Sequence, residues 1–191
     1  MYGLISQALE DYVRRGFGER AWNEVRGRAG FGEEDLFVSM ESYPDELTFR
    51  LVQAATEVLH LGVPQVLEAF GEHWVLYTAQ EGYGEMLAMF GTSLQEFLVN
   101  LDNLHSHVAL TFPDLRPPSF EVERIPGEAH SLLLHYRSER TGLAPMVVGL
   151  LRGLGKRFSQ EIRVQQLERG ASDDHDVFRI DIIETAGATR G

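Results

Sequence analysis

GTSLQEFLVNLDNLHSHVALTFPDLRPPSF, residues 91–120, holds the point at which the chain changes its period. Up to Thr111 its apolar residues Leu94, Phe97, Leu98, Leu101, Leu104 and Val108 recur three and four apart, which is one stripe of a single amphipathic helix. Ser93 followed by Glu96 is a capping-box pattern at its start, and Pro113 ends it, because the residue before a proline is pushed out of the helical region. Beyond RPPSF the period is two. Phe120 and Val122, then Leu132, Leu134 and Tyr136, then Ile162 and Val164, and last Phe178, Ile180 and Ile182 predict four strands. IPGE precedes the second strand and RGASDD separates the last two, while GLAPMVVGLLRGLGKRF predicts a helix between the second and third.

Upstream of residue 91 the pattern is helical. Leu4, Ile5, Leu9 and Val13 fit a first helix over 2–16, and Asp45 and Glu46 after Pro44 form an acidic first turn for another that runs on to Gly62. Pro64 opens the next, which contains VLEAFGEHWVLYTA. Short helices joined by glycine predict a compact bundle, followed by an α/β remainder. The last residues, TAGATRG, read as a frayed tail.

The 191 residues are 43% hydrophobic and 24% charged, enough for one well-buried core and too few for two ordinary domains. The apolar runs are far shorter than the roughly 18–20 residues of a membrane span, and no secretion signal is evident, so no membrane partner and a cytoplasmic location are expected. A net charge of −12 argues against nucleic acid, whose affinity rests on a basic face. With no cysteine, metal chemistry is left to His, Asp, Glu, Tyr or Met.

Two features carry candidate chemistry. His105 lies in the apolar stripe, four residues after Leu101, whereas His107 is turned about 200° away. On the pattern alone such a histidine is more often a core residue bonded to a backbone carbonyl than a metal ligand. A lone neutral imidazole on an apolar wall is nonetheless what the iron of a haem requires. LHYRSER, 134–140, is the second feature: in extended chain Tyr136, Ser138 and Arg140 would point to one side and present a phenol, a hydroxyl and a guanidinium to an anion. These residues also fit a solvated strand end. A haem's propionates would suit all three donors, so the two features name the same ligand.

Other signals are weaker. GLLRGLGKRF lacks a phosphate loop's first glycine, because Leu150 stands there, and Arg157 replaces the magnesium-binding hydroxyl. SDDHD, 172–176, reads as a solvated acidic turn that would bind a divalent cation only weakly. His60 and His73 have no histidine four residues away, so a zincin-type pair is absent, and no G-x-S-x-G elbow occurs.

Taken together, MYGLI, SYPDE, HWVLYTAQEGYGEM, LDNLHSHV, RPPSF, YRSER and GLLRGLGK resemble the H-NOX family, the haem nitric oxide/oxygen-binding domain related to the haem domain of soluble guanylate cyclase. The resemblance implies an α+β fold, with an N-terminal helical bundle packed on a C-terminal antiparallel four-stranded sheet that has one inserted helix, and haem between them. One domain over 1–191 is expected, with 1–62 its distal helical part, 63–185 its proximal helix plus sheet, and 186–191 a tail. It implies that His105 is the axial ligand of a non-covalent haem b (ferrous iron protoporphyrin IX), that Tyr136, Ser138 and Arg140 hold the propionates, and that Asp45 orients Arg140. Pro118, Ile5 and Leu101 would pack on the haem, Pro118 pressing it out of plane. Trp74 and Met146 would line the distal pocket.

Oxygen-binding members carry a distal tyrosine on the helix after the triplet. Here Met146 matches that place, and no Tyr, His or Gln lies between Gly142 and Gly155. Bound dioxygen needs such a donor more than nitric oxide or carbon monoxide does, so a nitric oxide sensor is expected, with carbon monoxide as a second ligand. Trp74, through its indole N–H, is the one residue that would spoil this, although it reads equally as a core-filling aromatic. The expected mechanism is a weakened His105–iron bond that frees the histidine's helix and lets the porphyrin relax from Pro118. No output module follows the last strand, so a separate partner is expected, by resemblance to stand-alone bacterial members a histidine kinase or a cyclic-di-GMP enzyme. Two other classes stay open: a haem enzyme acting on peroxide or nitrite, and a haem-free domain that binds an apolar carboxylate.

Overall fold

The computed structural model describes residues 1–32, 34–167 and 174–183. Helices α1 (Gly3–Phe17), α2 (Glu19–Arg28), α3 (Asp45–Leu59) and α4 (Val63–Thr78) come first. A kinked π-turn over 79–83, where Gly82 takes φ 93°, leads to α5 (Gly84–Ala88), α6 (Leu94–Val99) and α7 (Leu101–Thr111). Strands β1 (Ser119–Arg124) and β2 (Ser131–Arg137) follow, then α8 (Ala144–Arg157), β3 (Glu161–Gln166) and β4 (Asp176–Ile183). The four strands form one antiparallel sheet in the order β1-β2-β4-β3. The α+β architecture and all four strands agree with expectation. Most of RGASDD and TAGATRG lies outside the described residues. No described helix is long and apolar enough to cross a membrane.

The expected single helix over 93–111 is two. Asn100 sits at φ −96°, ψ 8°, outside the helical well, and separates α6 from α7. Its side-chain amide donates to the Glu96 carbonyl, the local competition that makes asparagine a poor interior helical residue. Ser93 does cap α6, its Oγ accepting from the Glu96 N–H at 3.3 Å. The reciprocal half of the box is displaced by one residue, because the Glu96 carboxylate accepts from the N–H and hydroxyl of Thr92. Likewise α3 stops at Leu59, with His60 left-handed at φ 55°, two residues before the glycine expected to end it.

Among the described residues the apolar core forms two clusters. One joins α1–α4 around Leu9, Trp22, Leu51 and Phe70, and the other joins the inner face of the sheet to α6, α7 and α8 around Leu98, Leu134, Leu151 and Phe178. Helix α8 belongs to both: Met146 packs on the first, while Val147, Val148, Leu151 and Leu154 belong to the second. Gly149 and Gly153 of GLLRGLGK find their reason here. A Cβ on Gly149 would lie 1.9 Å from the Glu68 carbonyl, and one on Gly71 would lie 2.3 Å from that of Met146, so α4 and α8 cross backbone to backbone. Arg152–Glu68 and Lys156–Glu72 ion pairs flank the crossing.

Candidate haem site

Helix α7 and strand β1 hold His105. Its Nδ1 lies 2.8 Å from the Leu101 carbonyl one turn back, and its ring stacks at 5.1 Å on Phe120, the second residue of β1. A carbonyl only accepts, so Nδ1 carries the proton and Nε2 keeps its lone pair. Burial lowers the imidazole's pKa below the ordinary histidine value, opposed by the Leu101 bond and by nearby Asp102. The side chain is therefore neutral at pH 7, as a metal ligand must be. The bland and the functional readings of this histidine describe different nitrogens of one ring. Leu101, expected to pack on a haem, is buried in the second cluster and in addition supplies this carbonyl. His107 is exposed and lies against Phe90, away from His105 as expected.

The donor triplet is only partly a strand feature. β2 ends at Arg137, so strict alternation brings only Tyr136 to the inner face. Ser138 and Arg140 come from the turn that follows, where the Ser138 Oγ accepts the Arg140 N–H at 3.1 Å. The Tyr136 ring is buried against Phe120 and Phe178. Burial raises its pKa, against a lowering hydrogen bond with Ser138, so the phenol stays a donor.

Arg140 is fixed by three bonds: Nε to Asp45 Oδ2 at 2.7 Å, Nη2 to Oδ1 at 3.4 Å, and Nη1 to the Arg116 carbonyl at 3.0 Å. A guanidinium has five N–H donors, so Nη1 and Nη2 each retain one for an anion. Asp45 thus pairs with Arg140 through both carboxylate oxygens. The Met1 ammonium donates to its other side at 2.6 Å. Desolvation works to raise the Asp45 pKa, but the bonds from Arg140 and Met1 outweigh it and hold the carboxyl below the usual range.

Ile5, Trp74 and Met146 are half-buried and pack on the first cluster, together with Leu4 and Leu143. Trp74 leans on Phe70 with 6.3 Å between ring centroids. Pro118 is half-buried immediately before β1. Three participants were missed. The Arg116 carbonyl precedes Pro117, which biases it toward extended backbone. The Met1 ammonium left no sequence signal. Asp102 read only as a helix N-terminal acid, yet its Oδ1 accepts the Phe120 N–H at 2.6 Å and joins α7 to β1 three residues from His105.

These residues fit a haem: a neutral imidazole with a free Nε2, half-buried aliphatic and aromatic side chains from both clusters, and an oriented arginine beside a phenol and a hydroxyl. The family model described as Haem-NO-binding matches residues 2–166. Soluble guanylate cyclase gcy-31 of Caenorhabditis elegans is 30% identical over 183 residues, and gcy-32 is 34% identical over 160, covering 94% and 82% of this chain. The chain spans 26% and 23% of the length of those two proteins. Among solved structures, an H-NOX protein from S. oneidensis in the Fe(II) state superposes with a TM-score of 0.86, at 23% identity over 96% of this chain and 97% of its own. An unliganded Fe(II) H-NOX protein from K. algicida gives 0.82, at 22% identity over 98% of this chain and 100% of its own. The chain belongs to the H-NOX family of haem-based gas-sensing domains.

Proposed function

We propose that the chain is a nitric oxide-selective sensor that holds haem b through His105 and signals to a separate protein. The observation that carries this is the split role of the His105 ring, Nδ1 tied to the Leu101 carbonyl and Nε2 left with a lone pair. When bound, haem would supply an iron able to take a diatomic gas, and His105 would be the side chain that holds it.

The protein's own groups do the rest. Arg140, held by Asp45 and the Arg116 carbonyl, offers two N–H groups to a propionate, and Tyr136 and Ser138 add hydroxyls. Ile5, Leu101 and Pro118 would pack against the macrocycle. Trp74 and Met146 would line the gas side, where Leu143 and the first turn of α8, with Ala144 and Met146, carry no hydroxyl or amide side chain. Nitric oxide and carbon monoxide tolerate such a wall better than dioxygen, which needs a hydrogen bond to its partial negative charge. A change in what His105 holds would act on α7, which the Asp102–Phe120 bond couples to β1, and a local change of that kind biases a packed two-state element.

The domain works without turnover, because peroxide or nitrite chemistry calls for an acid–base pair beside the iron that this wall does not supply. The partner is a histidine kinase or a cyclic-di-GMP enzyme, in the cytoplasm. The S. oneidensis protein has also been solved in an Fe(II)NO state, which supports nitric oxide as the ligand class.

The test is an absorption spectrum of the ferrous protein alone and with nitric oxide, carbon monoxide and air. A stable nitrosyl and carbonyl with no stable oxygen complex are expected. A long-lived oxygen complex overturns the selectivity, and steady turnover of peroxide overturns the sensor reading. His105→Gly loses the native axial ligation, and added imidazole restores it.

A further inference from the structure

The outer face of the sheet carries a second histidine arrangement, independent of the haem reading. In β2, Leu134 and Tyr136 point inward, so His135 points outward, between Glu121 of β1 and Val177 of β4. His175 lies at the entry to β4 and reaches the same spot. Its Nε2 is 2.9 Å from His135 Nδ1, with 5.1 Å between the ring centroids.

The other nitrogen of each ring faces a carboxylate. Glu123 Oε2 is 3.4 Å from His135 Nε2, and Asp174 Oδ1 is 2.9 Å from His175 Nδ1. Carboxylates accept and do not donate, so each places the proton of a neutral imidazole on its own side. Both facing nitrogens are then left with lone pairs aimed at one point. Two lone pairs at that distance repel unless one ring takes up a second proton and donates to the other, or a metal ion is held by both. An imidazole with a carboxylate behind it is also the usual back-to-front order of a metal-binding histidine.

We propose that His135 and His175 form a binding site for a borderline divalent transition metal such as zinc or copper, with Glu123 and Asp174 orienting the two rings. Imidazole nitrogens select these ions over magnesium or calcium. Among the described residues no group of three or more His, Asp or Glu is disposed to hold a metal, so water or a solution ligand completes the coordination. Such a site binds reversibly and yields its ion to a chelator. The two side chains are 20% and 14% exposed, open enough for exchange. A bound ion would fasten the middle of β2 to the start of β4, on the far side of the sheet from Tyr136.

The test is calorimetric titration of the tag-free, haem-loaded chain, stripped of free metal, with zinc chloride and separately with copper(II) and magnesium chloride. One equivalent of zinc, tighter copper and no magnesium are expected. His135→Gln and His175→Gln should each weaken zinc at least tenfold, and Asp174→Asn about 10–100-fold, while the haem absorption band and the circular dichroism stay unchanged. Unchanged zinc affinity in both glutamine variants overturns the proposal, since the ion then binds elsewhere. Absence of zinc and copper binding at millimolar concentration also overturns it, and means that the pair shares only a proton.

Discussion

Asp45 sits between two cations, Arg140 on one side and the Met1 ammonium on the other, and that position fixes its behaviour in acid. Its pKa is lower in the folded chain than in the unfolded one. Its stabilising contribution is therefore complete above the unfolded value of about 3.9 and is lost as the pH falls through the lowered folded value. Melting curves of the wild type and Asp45→Asn should differ at neutral pH and converge in strong acid; parallel curves would mean that the carboxylate is not coupled to folding. Arg140→Ala removes both the bidentate partner and the spare donors. Because the pair is partly exposed, a loss of about 1–2 kcal/mol in haem binding is expected, roughly a tenfold weaker affinity, read by haem transfer to an apo-acceptor. Unchanged affinity would place the propionates elsewhere. At this scale the sequence exposed the residue types and left the partners hidden. Y-x-S-x-R showed three donors but not the turn that gathers two of them, and nothing near residue 116 announced that a carbonyl would hold the guanidinium.

For the helices and strands, period was a good guide where one face is buried and a poor one where a single side chain interrupts it. All four strands were visible because Phe120 and Val122, Leu134 and Tyr136, Ile162 and Val164, and Phe178 and Ile180 alternate with outward polar residues. Asn100 hid the division of α6 from α7, since an apolar stripe continues across a break that only backbone angles reveal. The helix of α8 was legible despite glycines that weaken one, but the use of Gly149 and Gly153, the contact with α4, was not. Gly149→Ala should force the two helices apart and destabilise the chain by about 1–3 kcal/mol, a melting temperature lower by several degrees in a chain of this size. Gly27→Ala is the control. It lies in α2 with open space at its Cβ, and a gain of up to about 1 kcal/mol is expected from helix propensity. Equal effects at the two positions would show that the crossing is loose.

Across the whole molecule, two apolar clusters share α8 and are laced together along one edge. Asp45–Arg140 forms part of the lacing, and the rest is Tyr2, whose hydroxyl accepts the Asp114 N–H at 2.9 Å and whose ring meets Phe112 at 4.7 Å. A ligand held by both halves binds the folded chain only, so haem should raise the melting temperature; a thousandfold excess over its dissociation constant is worth about 4 kcal/mol. Arg140→Ala should shrink that increment without lowering the melting point of the apo-protein by as much. An increment equal to that of the wild type would argue against a shared grip. The division into two clusters could not be read in advance, since hydrophobic periodicity shows which faces are buried and says nothing of which buried faces touch.

The break at Asn100 gives α7 a fulcrum. Behind it α6 is anchored by Leu94, Phe97 and Leu98, all almost fully enclosed. Ahead of it, at 1.5 Å of rise per residue, His105 stands about 7 Å along the arm and the solvent-facing Leu110 about 15 Å. A small swing at the histidine would therefore arrive at the outer tip about doubled, by plain leverage.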